Sequence, residues 1–284
     1  MKNQEEIRKV PRFIRYALAA YNRRGYVGAM LCGEFAKGKT VTAMKMAGKI
    51  LQVKYGYTEE QALDIVIDDY MIFTSDDFLS LTERIYGAHD WENMEPEEVL
   101  KTKFNIRLPV LIWDDAGIHA SSKKEQFDKQ AGYDIQSNYD TIRDITSCMI
   151  LTVPEEGELM KFLRQYRSNY FVELATPHGV GDPDKRIMYF YKYERDKKSG
   201  NMKRKFKYGT DPEQSHSIHI SNYLYGKYDK KRTLAKLNHD AEYKRKKEER
   251  EIMKQYELMK KKHAILKMKR ELDVMQKKEE KMVG

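Results

Sequence analysis

Gly33 and Gly38, with four residues between them and Lys39 and Thr40 directly after, have the spacing G-x-x-x-x-G-K-T. That pattern suits one kind of chemistry. A glycine-rich turn aims backbone N–H groups at phosphate oxygens, and a helix N-terminus behind it adds positive potential. The candidate cradle is Gly33, Glu34, Phe35, Ala36, Lys37, Gly38, Lys39, Thr40 and Val41. Lys39 has the reach and charge for the β- and γ-phosphates, and the Thr40 hydroxyl suits Mg²⁺. A second pair of groups stands far along the chain, where Asp114 and Asp115 end the apolar run "LPVLIWDD". A carboxylate there can hold the metal ion, with Thr40 and Asp114 as its two protein partners. A second acid, Asp115, can orient a water and take its proton. Together these residues predict ATP and Mg²⁺ as cofactors and nucleoside-triphosphate hydrolysis as the reaction.

The elements around these groups must hold them in place. "YVGAML" before the glycine loop reads as a strand, and Val41, Met44, Met46, Ala47 and Ile50 after it recur at helical spacing. Thr58 and Gln61 match a capping box. Tyr70–Thr74 reads as a strand, followed by a helix capped by Ser75. Pro96 suits a helical first turn. "LPVLIWDD" has the continuous apolar character of a strand buried on both faces. A polar helical stretch, about 122–143, leads to a fourth strand, "CMILTV". A further helix then precedes a fifth strand, "NYFVELAT". Alternation of this kind predicts an α/β fold with a mainly parallel five-stranded sheet flanked by helices.

Two other readings of the acids fare worse. "WDDAG" fits the D-x-x-G element of a GTPase switch, but no N-K-x-D or T-K-x-D follows to recognise guanine. A small-molecule kinase would carry an Arg-rich lid and would lack paired acids at this position.

Past the fifth strand the pattern changes to two antiparallel strands around a Ser-Gly-Asn turn. Lys185 to Lys207 holds ten basic residues and two acidic ones, interleaved with Tyr189, Phe190, Tyr191, Tyr193 and Phe206. Such a ribbon can grip phosphates and stack bases, or it is a sheet edge guarded by lysines. Residues 227–284 carry 20 Lys and Arg against 11 Asp and Glu, which accounts for the whole formal net charge of +9. This basic tail predicts a polyanion or an acidic partner. Its composition is that of a long helix with two offset apolar seams, either a weak coiled coil, a helix for a partner's groove, or a solvated arm. The chain divides into an N-terminal helical segment (1–25), a core (26–215) containing the basic hairpin (185–208), and a mostly helical tail (216–284).

Cys32 and Cys148 fall on predicted strands and read as buried thiols, with no disulfide or metal-type spacing. His216 and His219 would point to opposite faces of a strand, which disfavours a shared metal. No apolar run approaches the ~18 residues of a membrane span, and the first residues lack the apolar stretch of a signal peptide. The expectation is a soluble, cytoplasmic protein with no membrane partner.

The ordered set "GEFAKGKT", "YMIFTSDDFLSL", "PVLIWDDAG" and "YDTIRDITSCMILTV" resembles the helicase-loader ATPases of the DnaC and IstB type, within the AAA+ group of P-loop ATPases. The resemblance covers about Tyr26 to Thr176. It implies Asp114 as the metal-side acid, Asp115 as the catalytic acid and Thr152 as a first sensor. Three departures stand out. Ala36 occupies a place usually held by glycine, Asp115 one often held by glutamate, and no helical lid with a second sensor arginine follows the fifth strand. "LRQYRSNYFVEL" is also similar to a segment of HerA/FtsK-type translocases and viral packaging ATPases. Both groups form homo-oligomeric rings that act on DNA, which makes Arg164 and Arg167 candidates for an arginine reaching a neighbouring subunit's phosphate. The implied roles are helicase loading or replication initiation. The alternatives are DNA translocation or genome packaging, and a nucleotide-controlled adaptor whose C-terminal helix holds a protein partner.

Overall fold

The computed structural model describes residues 10–33, 38–116, 136, 142–154, 169–177, 184–195, 202–210 and 215–283. The polar stretch 122–143 and the helix expected before the fifth strand fall largely outside them, as do Glu34, Phe35, Ala36, Lys37, Arg164 and Arg167.

One eight-stranded sheet organises the first compact unit, Met1–Arg232. Its strands are β1 (Val27–Cys32), β2 (Met71–Ile72), β3 (Leu111–Trp113), β4 (Cys148–Val153), β5 (Asn169–Ala175), β6 (Lys185–Arg195), β7 (Met202–Gly209) and β8 (His216–Ser217). The order is β2-β3-β4-β1-β5-β6-β7, with β8 paired to β6. The first five of these are parallel to one another, and β6 and β7 are antiparallel additions. This is the expected α/β architecture with a mostly parallel central sheet, and the basic hairpin is added on one edge. Strands β1 and β4 are buried at every position, as central parallel strands covered on both faces must be.

The helices are α1 (Arg12–Asn22), α2 (Lys39–Tyr55), α3 (Glu59–Asp69), α4 (Ser75–Gly87), α5 (Pro96–Asn105), the short α6 (Ile142–Ile145) and α7 (Asn222–Val283). Local chemistry sets their ends. Gly56, in the left-handed region, closes α2 and donates its N–H to the Gln52 carbonyl. Thr58 and Gln61 form the expected capping box on α3. On α4 the cap is Thr74, not Ser75: the Thr74 hydroxyl accepts from the Asp77 N–H, and the Asp77 carboxylate accepts from the Phe73 and Thr74 N–H groups. The Thr74 N–H, on the side that faces β3, is thereby engaged locally, and β2 ends at Ile72.

α1 packs on the base of the hairpin through rings. Phe13 stacks on Phe190 at 5.6 Å, Phe190 stacks on Tyr208 at 4.6 Å, and Tyr170 meets Phe13 and Phe190 edge-on. The second unit, Thr233–Gly284, is a helical segment with exposed apolar residues that include Ile252, Tyr256, Met259 and Ile265.

Under the site lies a core cluster containing Met30, Phe78, Leu111, Trp113 and Leu151. Trp113 is stacked on Phe78 with rings 4° from parallel, and its indole N–H is buried without a hydrogen-bond partner among the described residues. An unpartnered buried donor costs stability, whereas the ring's volume contributes it. Trp113→Ala should therefore lose about 3–5 kcal/mol in urea unfolding. Trp113→Phe should lose less than about 1.5 kcal/mol, because it also deletes that donor.

Candidate functional site

Parallel strands put their carboxyl ends on one side, and the predicted residues meet there. β4 lies between β1 and β3, with Leu31 beside Thr152 and Trp113 beside Leu151. The ends of all three strands thus converge, bringing the glycine loop, Thr152 and the two acids together.

Gly33 leaves β1 with φ 147° and donates its N–H to the Pro154 carbonyl. Gly38 has φ 79°, and a Cβ there would lie 2.6 Å from a methyl of Ile218. Both a left-handed backbone and a lack of space require glycine at 38. Helix α2 starts immediately after it, with Lys39 buried and its ammonium donating to the Gly33 carbonyl at 2.7 Å.

Asp114 is fully buried. Its Oδ1 accepts hydrogen bonds from the Thr40 hydroxyl at 2.8 Å and the Thr152 hydroxyl at 2.6 Å. Burial pushes its carboxyl above the usual range, as does the neighbouring Asp115 charge, while the hydroxyl donors pull the other way. Asp115 sits in the left-handed region at φ 50°, and its N–H donates to Thr152 Oγ1 at 2.9 Å. One threonine hydroxyl therefore ties both acids to β4. The backbone conformation of Asp115, tolerated by aspartate better than by most residues, turns consecutive carboxylates to different tasks.

Sequence reading missed two further residues at this centre, both from the first turns of α7. Tyr228, buried, donates its hydroxyl to Asp114 Oδ2 at 2.8 Å. That hydroxyl is also within reach of the Thr40 hydroxyl. Burial, with the adjacent Asp114 charge behind it, pushes its pKa far up, so it stays a donor. Arg232 pairs with Asp115 Oδ2. Two lysines on the same turns fasten the helix to α3. Lys227 bridges Asp64 and Asp68, and Lys231 donates to the carbonyls of Ile67 and Asp68 at the end of α3 and of Met71 on β2. A signal for this exists in the sequence: Leu224, Tyr228 and Arg232 recur every fourth residue, one face of a helix.

The hydroxyl and carboxylate oxygens of Thr40 and Asp114 are hard donors of the kind Mg²⁺ takes. Among the described residues no group of three or more His, Cys, Asp and Glu side chains is placed to hold a metal ion. Of the two histidines singled out, His219 pairs with Asp184, whereas His216 shares a hydrogen bond with the Thr42 hydroxyl at 2.9 Å. His216 lines a cavity of about 350 Å³ that also borders Phe13, Met46, Met188 and Phe190. The cavity opens beside Thr42, in the first turns of the phosphate-loop helix.

No known family profile matches the chain. It is 25% identical over 146 residues to an uncharacterized protein, B-251, of Sulfolobus spindle-shape virus 1. The match covers 51% of this chain and 50% of that protein, so the chain spans about half the length of its curated relative. Three solved structures overlap it in part. The flagellar accessory protein FlaH of Methanocaldococcus jannaschii has 13% identity and a TM-score of 0.30, covering 64% of this chain and 91% of that chain. The N-terminal domain of zonular occludens toxin from Neisseria meningitidis has 10% identity and a TM-score of 0.27, with coverage of 71% and 97%. The KaiC-like protein PH0186 of Pyrococcus horikoshii OT3 has 12% identity and a TM-score of 0.29, with coverage of 64% and 87%. Among the described residues no helix is long and apolar enough to cross a membrane.

The environment of His216 generates a pH prediction. Burial, then the nearby charges of Lys45 and Arg186, lower its pKa from 6.5 to about 4. Between those values the unfolded chain binds a proton that the folded protein refuses. Its contribution is complete above pH about 6.5 and is lost as pH falls through about 4, by at most ~1.4 kcal/mol per pH unit. Thermal melts between pH 7 and 4 should therefore fall less steeply for His216→Gln than for the parent protein.

Proposed function

We propose that the protein is a Mg²⁺-dependent ATPase that works on DNA. The observation that carries the first half is the bond from the Thr40 hydroxyl to Asp114, with Gly38 and Lys39 just before Thr40 and Asp115 just after Asp114. In this reading the loop N–H groups and Lys39 bind the triphosphate, and Thr40 and Asp114 hold Mg²⁺. The ion supplies charge stabilisation at the transferring phosphoryl group. Asp115 orients the attacking water and accepts its proton, while Thr152 fixes both acids. The cavity beside Thr42, where Phe13, Met46 and Phe190 meet Arg12, Lys45, Lys49 and a neutral imidazole, is the candidate seat of the nucleobase.

The DNA half rests on charge. The exposed edge strand β7 carries Lys203, Arg204, Lys205 and Lys207. Arg204 lies over the Phe171 ring at 4.2 Å, and Glu194 pairs with both Lys205 and Lys207. Helicase loading or replication initiation is the reading closest to the motifs, with translocation or packaging beside it. Ring assembly would bring Arg164 or Arg167 to a neighbour's phosphate. The exposed apolar residues of Thr233–Gly284 favour a second reading, an adaptor that holds a protein partner while nucleotide controls assembly.

Phosphate release from ATP tests the reading. Lys39→Ala should lose turnover by about a hundredfold or more. Asp115→Asn should lose about 10²–10⁴-fold yet still bind ATP. DNA should stimulate the parent protein, and neutralising Lys203, Arg204 and Lys205 should flatten that response and its salt dependence. Turnover by Asp115→Asn at the parental rate would overturn the assignment of the base. Absence of any DNA response in the parent would leave the adaptor reading.

A further inference from the structure

The Tyr228 hydroxyl and the Arg232 guanidinium do something the hydrolysis scheme does not use. Asp114 has two oxygens: Oδ1 faces the Thr40 and Thr152 hydroxyls, and Oδ2 receives the phenol. The phenol thus occupies the Asp114 oxygen that the Thr40 and Thr152 hydroxyls leave open, on one of the two groups assigned to the metal ion. Asp115, the assigned base, has its Oδ2 engaged by a guanidinium. That oxygen is occupied by a partner which an incoming water would have to displace. One helical face, one turn apart, thus meets both acids.

We propose that the docked root of α7, Asn222–Arg232, and a magnesium nucleotide compete for Asp114 and Asp115, so that loading the site releases the root and an empty site recaptures it. This rests on the nucleotide-site reading above and adds its regulation. Competition follows from geometry: an octahedral Mg²⁺ with its water shell needs the space and the lone pairs that the phenol takes. The anchoring matches a reversible contact. Lys227 and Lys231 hold the root to α3 by polar bonds at the protein surface, and Leu224 and Tyr228 are the buried apolar contacts. By linkage the coupling is reciprocal, so weakening the root must strengthen the magnesium-dependent part of nucleotide binding.

The experiment titrates fluorescent mant-ADP against the full chain in EDTA and at increasing Mg²⁺. Tyr228→Phe deletes one hydrogen bond to a charged group and keeps the ring against Phe73. It should lower the Mg²⁺ concentration needed for half-maximal tightening by on the order of tenfold, with affinity in EDTA unchanged. Lys230→Gln, exposed on the same turns, is the charge control and should leave both unchanged. Hydrogen exchange supplies a readout independent of affinity: amides of 222–232 should exchange faster with Mg²⁺ and mant-ADP than with mant-ADP in EDTA. Tyr228→Phe with an unchanged or higher Mg²⁺ requirement would overturn the proposal, as would protection of 222–232 by the magnesium complex. Nucleotide binding in EDTA reports the phosphate-loop reading separately. If the parent binds mant-ADP in neither condition, that reading fails and the competition falls with it.

Discussion

A fully buried carboxylate must be satisfied or neutralised, and Asp114 sets the terms for the site around it. Leaving such a group without partners costs several kcal/mol. Its partners come from three places: Thr40 at the start of α2, Thr152 on β4, and Tyr228 on α7. Each partner fixes an element. Thr40 requires the loop to turn at Gly38, Thr152 requires β4 between β1 and β3, and Tyr228 requires the root of α7 to dock on α3. The strand order is thus a chemical arrangement as much as a packing one. With β4 displaced from the centre of the sheet, no hydroxyl would link the two acids.

The hairpin shows how one strand serves two purposes. Along β6, Met188 and Phe190 face inward and are buried, while Tyr189, Tyr191 and Tyr193 occupy the other face and are half-buried. Phe190, with Tyr208 from β7, forms the ring stack that receives α1. Part of the aromatic content that suggested base stacking is therefore core. The remainder, with Phe206 exposed and Arg204 over its neighbours' rings, forms the other surface of the ribbon.

Much of this site could be read from the chain because its determinants are local. The glycine loop, the strand before it and the helix after it are contiguous, and Asp114 and Asp115 end an apolar run whose burial its composition announces. The capping box at Thr58 and Gln61 depends on residues three apart. Thr152 is different: its role came from a resemblance, and its bonds to Asp114 and Asp115 depend on a parallel register no local pattern encodes. Tyr228 and Arg232 were not legible, although Leu224, Tyr228 and Arg232 form a stripe. The helix that carries them has no single apolar face along its length, and the surplus of lysine and arginine in residues 227–284 points outward, to external polyanions. Three of those cations, Lys227, Lys231 and Arg232, bind the chain's own carbonyls and carboxylates. Long-range satisfaction of buried charge is what composition hides.

The central claim is that Thr40 and Asp114 form the seat of a nucleotide-bound divalent ion. A crystal structure of the full chain grown with Mg²⁺ and a non-hydrolysable ATP analogue tests it most directly. A metal ion is expected about 2.0–2.1 Å from Thr40 Oγ1. Asp114 should hold that ion directly or through a water, the phosphates should lie along the Gly33–Thr40 loop, and Tyr228 should have left Asp114. Phosphates bound away from that loop, or a metal ion touching neither Thr40 nor the waters of Asp114, would contradict it.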